Sequence, residues 1–334
     1  MMRKKLYILM FVMLLAPTIV LGLSKVFDGQ SRTARQALPS ADDDKLRIIV
    51  FGAHPDDCEI KAGGAAALWA QQGHHVKFVS TTNGDIGHAT MAGGPLAKRR
   101  TAEVKKAARI LGIETEVLDI HDGEIMPTLE NRKTFVRLIR QWKADIVMGH
   151  RPNDYHPDHR YSGILMQDAA YMVTVTSYCP DVPQLETNPV FLYLSDNFQK
   201  PNPFEPDIVV AIDEVFEQKA EALWQLESQI ESLWATGNFE RIEPIPTDPA
   251  GRAARKQAVT RRFGRRAESV ANKYRDKMIE LYGPQKGPKV RYAEAFELCE
   301  YGRRPTAAQL KNLFPFFNKY MTKSEFVPDV GKGG

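Results

Sequence analysis

From Lys45 onward the chain alternates two textures. Short apolar, β-branched runs at 47–52, 75–81, 116–120 and 145–150 are separated by stretches of helical spacing at 60–72, 96–111, 130–142 and 161–175. Two further strand-like runs follow at 190–194 and 207–212, then a long amphipathic stretch at 214–233. Strands alternating with helices of about ten to fifteen residues imply βαβ units, and hence an α/β fold with a parallel sheet and helices on both faces. Connections of this kind are right-handed. No internal repeat interrupts the alternation.

Two segments depart from this pattern. Arg3, Lys4 and Lys5 precede an apolar stretch at 6–23, the layout of a charged n-region and an h-region. Residues 1–22 are therefore expected to be a signal peptide or an uncleaved membrane anchor, and the protein to be exported, periplasmic or extracellular. No cysteine closes the apolar stretch, which argues against a lipoprotein. Residues 23–44 are polar, end in Asp42, Asp43 and Asp44, and read as a flexible spacer before a single domain at 45–330.

The second departure is an arginine-rich insertion at about 238–275. Pro244, Pro246 and Pro249 lead into arginines at 252, 255, 261, 262, 265 and 266, while Val259, Phe263, Val270 and Tyr274 recur at helical spacing. The plain expectation is a helix packed on its apolar side with a solvated basic face. A sharper one is a basic rim that recruits an anionic glycan or lipid headgroup. The formal net charge is +4, of which residues 1–22 carry three positive charges and no negative ones, leaving +1 on the rest. Charge alone thus gives no ground for a nucleic-acid partner. Cys58, Cys179 and Cys299 are too few and too scattered for a disulfide framework or a cysteine metal site; one disulfide or three buried thiols remain open.

The chemistry sits at two strand ends. AHPDDCE (53–59) follows the first apolar run and YHPDH (155–159) follows 145–150. In open α/β sheets, ligands bind beyond the carboxyl ends of the strands. His54, Asp57 and His159 form a set of N and O donors suited to Zn²⁺, leaving a coordination position for water; iron also suits such donors. Asp56, which cannot ligate the same ion as Asp57 with good geometry, is left to accept a proton. His156 is the candidate for stabilising an oxyanion, with Asp158 close enough to hold its imidazole protonated. Pro55 and Pro157 stiffen the two clusters. Either motif alone is weak; together, each at a strand end, they are specific. His74 and His75 read as surface groups at a helix end, whereas His88, His121 and His150 lie near strand ends.

These motifs resemble the LmbE-like, or PIG-L, family of zinc-dependent N-deacetylases. AHPDDCE matches the family's first motif, TTNGDIG (81–87) its glycine-containing loop, Arg100 and Glu103 its RxxE helix, Asp122-Gly123 its aspartate loop and HPDH (156–159) its later metal motif. The resemblance spans about 47–229. It implies a Rossmann-like three-layer fold without a dinucleotide, in keeping with the lack of GxGxxG after the first strand. It also implies zinc on His54, Asp57 and His159, Asp56 as general base, His156 on the oxyanion, and Arg100 and Asp122 at sugar hydroxyls. The implied substrate is an N-acetylglucosamine-type sugar or glycoconjugate that loses its N-acetyl group. Cys58 in the first motif and Leu226, where many members carry a histidine before Ser-Gln, are departures. Another amide hydrolase of the same mechanism, or a non-catalytic sugar-binding module, are the alternatives.

Overall fold

The computed structural model describes residues 44–237 and 241–319. The expected leader at 1–22 and nearly all of the spacer lie outside these residues. The first strand, β1 (Arg47–Gly52), is buried along its whole length. Its side chains alternate between two cores: Ile48 and Val50 enter one, Ile49 and Phe51 the other. Burial on both faces favours apolar side chains at successive positions, here Ile48 to Phe51, which is why this segment reads as a continuous run and not as an alternating one.

The chain continues through α1 (Asp57–Gln71), β2 (His75–Ser80), α2 (Gly94–Leu111), β3 (Glu114–Val117), α3 (Leu129–Trp142), β4 (Ile146–Gly149), α4 (Pro157–Met172) and β5 (Val190–Leu194). Then come β6 (Ile208–Ala211), α5 (Phe216–Trp224), α6 (Glu227–Glu231), α7 (Leu233–Thr236), α8 (Pro249–Lys273), α9 (Arg275–Lys286), β7 (Ala293–Leu298) and α10 (Ala307–Leu313). The sheet order is β3-β2-β1-β4-β5-β7-β6. Strands β1 to β5 are parallel, as the alternation implied. The sheet is mixed at one side, because β7 runs antiparallel to both β5 and β6. Helices α3 and α4 supply the core on one face; α1, α2, α5, α8 and α9 supply the other.

The long helix expected at 214–233 is broken into α5, α6 and α7. At Leu226 the backbone leaves helical geometry (φ −87°, ψ 58°). The break lets the Ser228 backbone N–H and hydroxyl donate to the buried Glu103 carboxylate, at 2.9 and 2.6 Å. The insertion does form a helix: α8 starts at Pro249, with Asp248 capping the Gly251 N–H, and buries Val259, Phe263, Ala267 and Ala271. Its arginines are partly tied down. Arg252 pairs with Glu227 and lies over Trp224, Arg255 contacts Glu243, and Arg262 donates to the Trp234 carbonyl. All three cysteines are free and buried. Among the described residues, no helix is long and apolar enough to cross a membrane.

Candidate metal centre

The strand order reverses between β1 and β4, so the carboxyl ends of these two strands border the crevice of a topological switch point. Both histidine–aspartate clusters emerge there. After β1 the chain turns tightly, with the His54 carbonyl accepting from the N–H groups of Asp56 (2.8 Å) and Asp57 (3.2 Å). The His54 N–H donates back to Asp57 Oδ2 at 2.8 Å. Gly52 permits this turn, since a Cβ there would stand 2.8 Å from Asp57 Cβ and 2.9 Å from Cys58 Sγ. After β4, the segment 150–156 leads to α4, whose N-cap is His156 and whose first residue is Pro157.

Three donor atoms converge. His54 Nδ1, Asp57 Oδ2 and His159 Nε2 stand 3.5, 3.5 and 3.3 Å apart. Tetrahedral ligands about 2.0–2.2 Å from an ion are separated by about 3.3–3.6 Å, so the triangle fits one face of a zinc-sized coordination shell. The far nitrogens of both histidines meet carboxylates: His54 Nε2 lies 3.0 Å from Asp122 and 3.3 Å from Asp158, and His159 Nδ1 lies 3.1 Å from Asp154. Such outer carboxylates fix the tautomer and aim of a ligating imidazole. His150 completes the floor. It stacks on His159 at 4.1 Å, lies 3.3 Å from Asp57 Oδ2, and accepts from the Ala53 N–H.

Electrostatics separate the two adjacent aspartates. Burial opposes ionisation of Asp57, yet His159, His150 and His54 around it hold its carboxyl well below the usual range. Burial pushes Asp56 up instead, against the pull of Arg100. Burial works against a charge on His54, but Asp122, Asp158 and Asp57 raise its imidazole well above its ordinary value. Asp56 is the N-cap of α1 with no side-chain cap bond, and its nearest cation is Arg100 at 3.5 Å.

The structure brings together all eight residues singled out from the sequence, and gives Asp158 a different partner from the one expected. Asp158 does not hold His156: its Oδ2 faces His54 and accepts from the Gly123 N–H at 2.6 Å. His156 Nδ1 instead accepts from the Asp158 N–H as the helix cap, and burial with neighbouring His54 and His159 lowers its pKa, so a protonated His156 is not favoured. Arg100 is buried, donating to the carbonyls of Gly84 (3.1 Å) and Pro55 (3.2 Å) beneath the Asp56 turn. Gly84 makes room for it, with φ +66° and no space for a Cβ beside the guanidinium. Asp122 is buried against His54 and not extended toward solvent.

His150 and Asp154 join the centre although the sequence motifs did not name them as site residues. An aspartate just ahead of YHPDH and a histidine ending a strand were the available signals. His88 belongs elsewhere, 3.3 Å from Glu231, and the exposed His121 bonds Asp85 at 2.6 Å. Asp85 also accepts from the Asp122 N–H, steadying that loop. The Ser-Gln pair is structural here: Ser228 binds Glu103, and Gln229 donates to the Gly87 carbonyl at 3.0 Å.

Fold and cluster together define an α/β protein with a His/Asp group able to hold a metal ion at a switch point. Comparison with known proteins agrees. Residues 49–170 match the family model of GlcNAc-PI de-N-acetylase, PIG-L. The chain is 32% identical over 200 residues to diacetylchitobiose deacetylase of Thermococcus kodakarensis, covering 57% of this chain and 73% of that protein. It is also 28% identical over 197 residues to 4-oxalmesaconate hydratase of Pseudomonas putida, covering 56% and 74%. The solved structure of N,N'-diacetylchitobiose deacetylase from Pyrococcus horikoshii shares the fold, with a TM-score of 0.58, 22% identity, and 77% and 85% of the two chains covered. The chain belongs to the PIG-L, or LmbE-like, family.

Proposed function

We propose that the protein is a metal-dependent hydrolase that removes the N-acetyl group from an N-acetylglucosamine-type sugar or glycoconjugate, with zinc as the metal. The observation that carries this reading is the triangle of His54 Nδ1, Asp57 Oδ2 and His159 Nε2 beside a carboxylate, Asp56, that has no capping duty. The deacetylase names of the Thermococcus relative and of the Pyrococcus structure support the substrate class.

His54, Asp57 and His159 would hold the ion, with Asp122, Asp158 and Asp154 fixing the histidine rings. When bound there, a zinc ion lowers the pKa of a water to about 7 and polarises the acyl oxygen. Asp56 takes the proton of the attacking water and returns it to the departing sugar amine, a role favoured by its upward-shifted carboxyl. Arg100 keeps the Asp56 turn in place from beneath. His156, with Nδ1 accepting from the backbone, carries its neutral-state proton on Nε2 and donates from there to the developing oxyanion.

The test is acetate release from N-acetylglucosamine oligosaccharides by the zinc-loaded full chain. Release abolished by a chelator and by Asp56→Asn is the expected result. No release from any sugar with metal bound stoichiometrically would overturn it. A second reading has one specific support, the hydratase name of the Pseudomonas relative; turnover of 4-oxalmesaconate in the same assay series would favour it. We further propose export, resting on the basic-apolar layout of 1–22. Cell fractionation that finds the protein only in the cytosol would refute that.

A further inference from the structure

One turn along α1 from Asp57, at Ile60 and Lys61, begins a cavity of about 350 Å³, within the range of small-ligand pockets. Its other walls come from the residues after β5, from β7, and from α8 of the arginine-rich insertion, which contributes Arg266, Ser269 and Lys273. The charges lining it do not balance. Its two carboxylates already have cations of their own: Glu294 pairs with Lys219 at 2.6 Å, and Asp196 with Arg151 at 2.6 Å.

Lys61, Arg266 and Lys273 have no such partner among the described residues. Neutral groups hold them: Lys61 donates to the Ser195 carbonyl at 2.6 Å, Arg266 lies over the Phe263 ring and Lys273 over that of Tyr274. Lys61 is half-buried while Arg266 and Lys273 are exposed, so the cavity presents positive charge toward solvent, where it attracts an anion. The cavity lies next to the metal centre along α1, because Lys61 stands one turn from Asp57 on the same side of that helix.

Resting on the deacetylase reading, we propose that this cavity is an anion subsite. It takes a phosphate or carboxylate group borne by the same sugar whose acetamide reaches the metal centre. The substrate class is thus an anionic N-acetylated glycan. The insertion then divides its cations: Arg252, Arg255 and Arg262 fasten the helix, while Arg266 and Lys273 meet the substrate.

Calorimetric binding of three probes to the full chain tests this: N-acetylglucosamine, its 6-phosphate, and the corresponding 6-carboxylate, 2-acetamido-2-deoxyglucuronic acid. An anionic probe should bind at least about tenfold tighter than the neutral sugar at low salt, the worth of a hydrogen bond to a charged group. Comparing the phosphate with the carboxylate identifies the anion. The Arg266→Gln/Lys273→Gln double variant, with an unchanged melting temperature, should lose the preference. Equal binding of all three probes, or a preference that survives in the variant, would overturn the subsite. Acetate release from neutral oligosaccharides reports on the chemistry separately. Release without anion preference removes only the subsite, whereas anion preference without release from any sugar removes the deacetylase reading.

Discussion

Asp56 and Asp57 are neighbours in sequence with opposite surroundings. Three imidazoles face Asp57, whereas Asp56 has burial on one side and a single guanidinium on the other. Two carboxylates pushed apart in this way take different roles. Asp56→Asn should lower the rate of acetate release by about 10²- to 10⁴-fold while metal content stays at one ion per chain. Asp57→Asn should lose the ion itself, as measured by metal analysis after dialysis. Loss of metal in Asp56→Asn would remove the assignment of a base. These residues were legible because the motif is local: histidine, turn and two acids lie within four positions. Asp154 was not, because its role arises only when the segment after β4 folds back on His159. Asp154→Ala should weaken metal affinity by about 10- to 100-fold, as read by competition with a chromogenic chelator. An unchanged affinity would reduce Asp154 to a loop residue.

At the scale of elements, β1 and β5 match the ranges expected from the sequence, because strands buried on both faces carry an uninterrupted apolar signal. Strand β7 gave no such signal. Its sequence, AEAFEL, places Glu294 on a buried face, where Lys219 and the N–H groups of Gly64 and Ala65 satisfy it. A charge neutralised by distant partners cannot be told from a solvated one by pattern alone. The break between α5 and α6 was hidden for a similar reason. The 214–233 stretch keeps helical spacing, and only the contact of Ser228 with Glu103, 125 positions away, shows why the helix stops. Ser228→Ala removes a hydroxyl donor and leaves part of a buried carboxylate unpaired, which costs about 1–3 kcal/mol. Urea unfolding should show that loss as a lower midpoint with an unchanged slope. A midpoint equal to that of the parent would mean that the backbone bond alone sets the break.

Across the whole molecule, the crevice is the meeting point of segments far apart in the chain. The turn after β1, the loop at 121–123 and the start of α4 all contribute carboxylates to one partly enclosed cluster. Asp56, Asp57, Asp122, Asp154 and Asp158 stand there, and among the described residues Arg100 is the one guanidinium paired with any of these carboxylates. Such a concentration of acids favours a bound cation, and a cation held by His54, Asp57 and His159 ties the end of β1 to α4. An ion that binds the folded chain and not the unfolded one adds stability by mass action, about 2.7 kcal/mol at a free concentration 100 times its Kd. For a domain of this size that corresponds to a melting temperature about 4–5 °C higher with zinc than with chelator. Asp56→Asn should keep this difference and His159→Ala should lose it, which separates holding the ion from using it. A melting temperature indifferent to chelator in the parent chain, with metal analysis showing the ion removed, would mean that the cluster is held by its own hydrogen bonds and not by a cation.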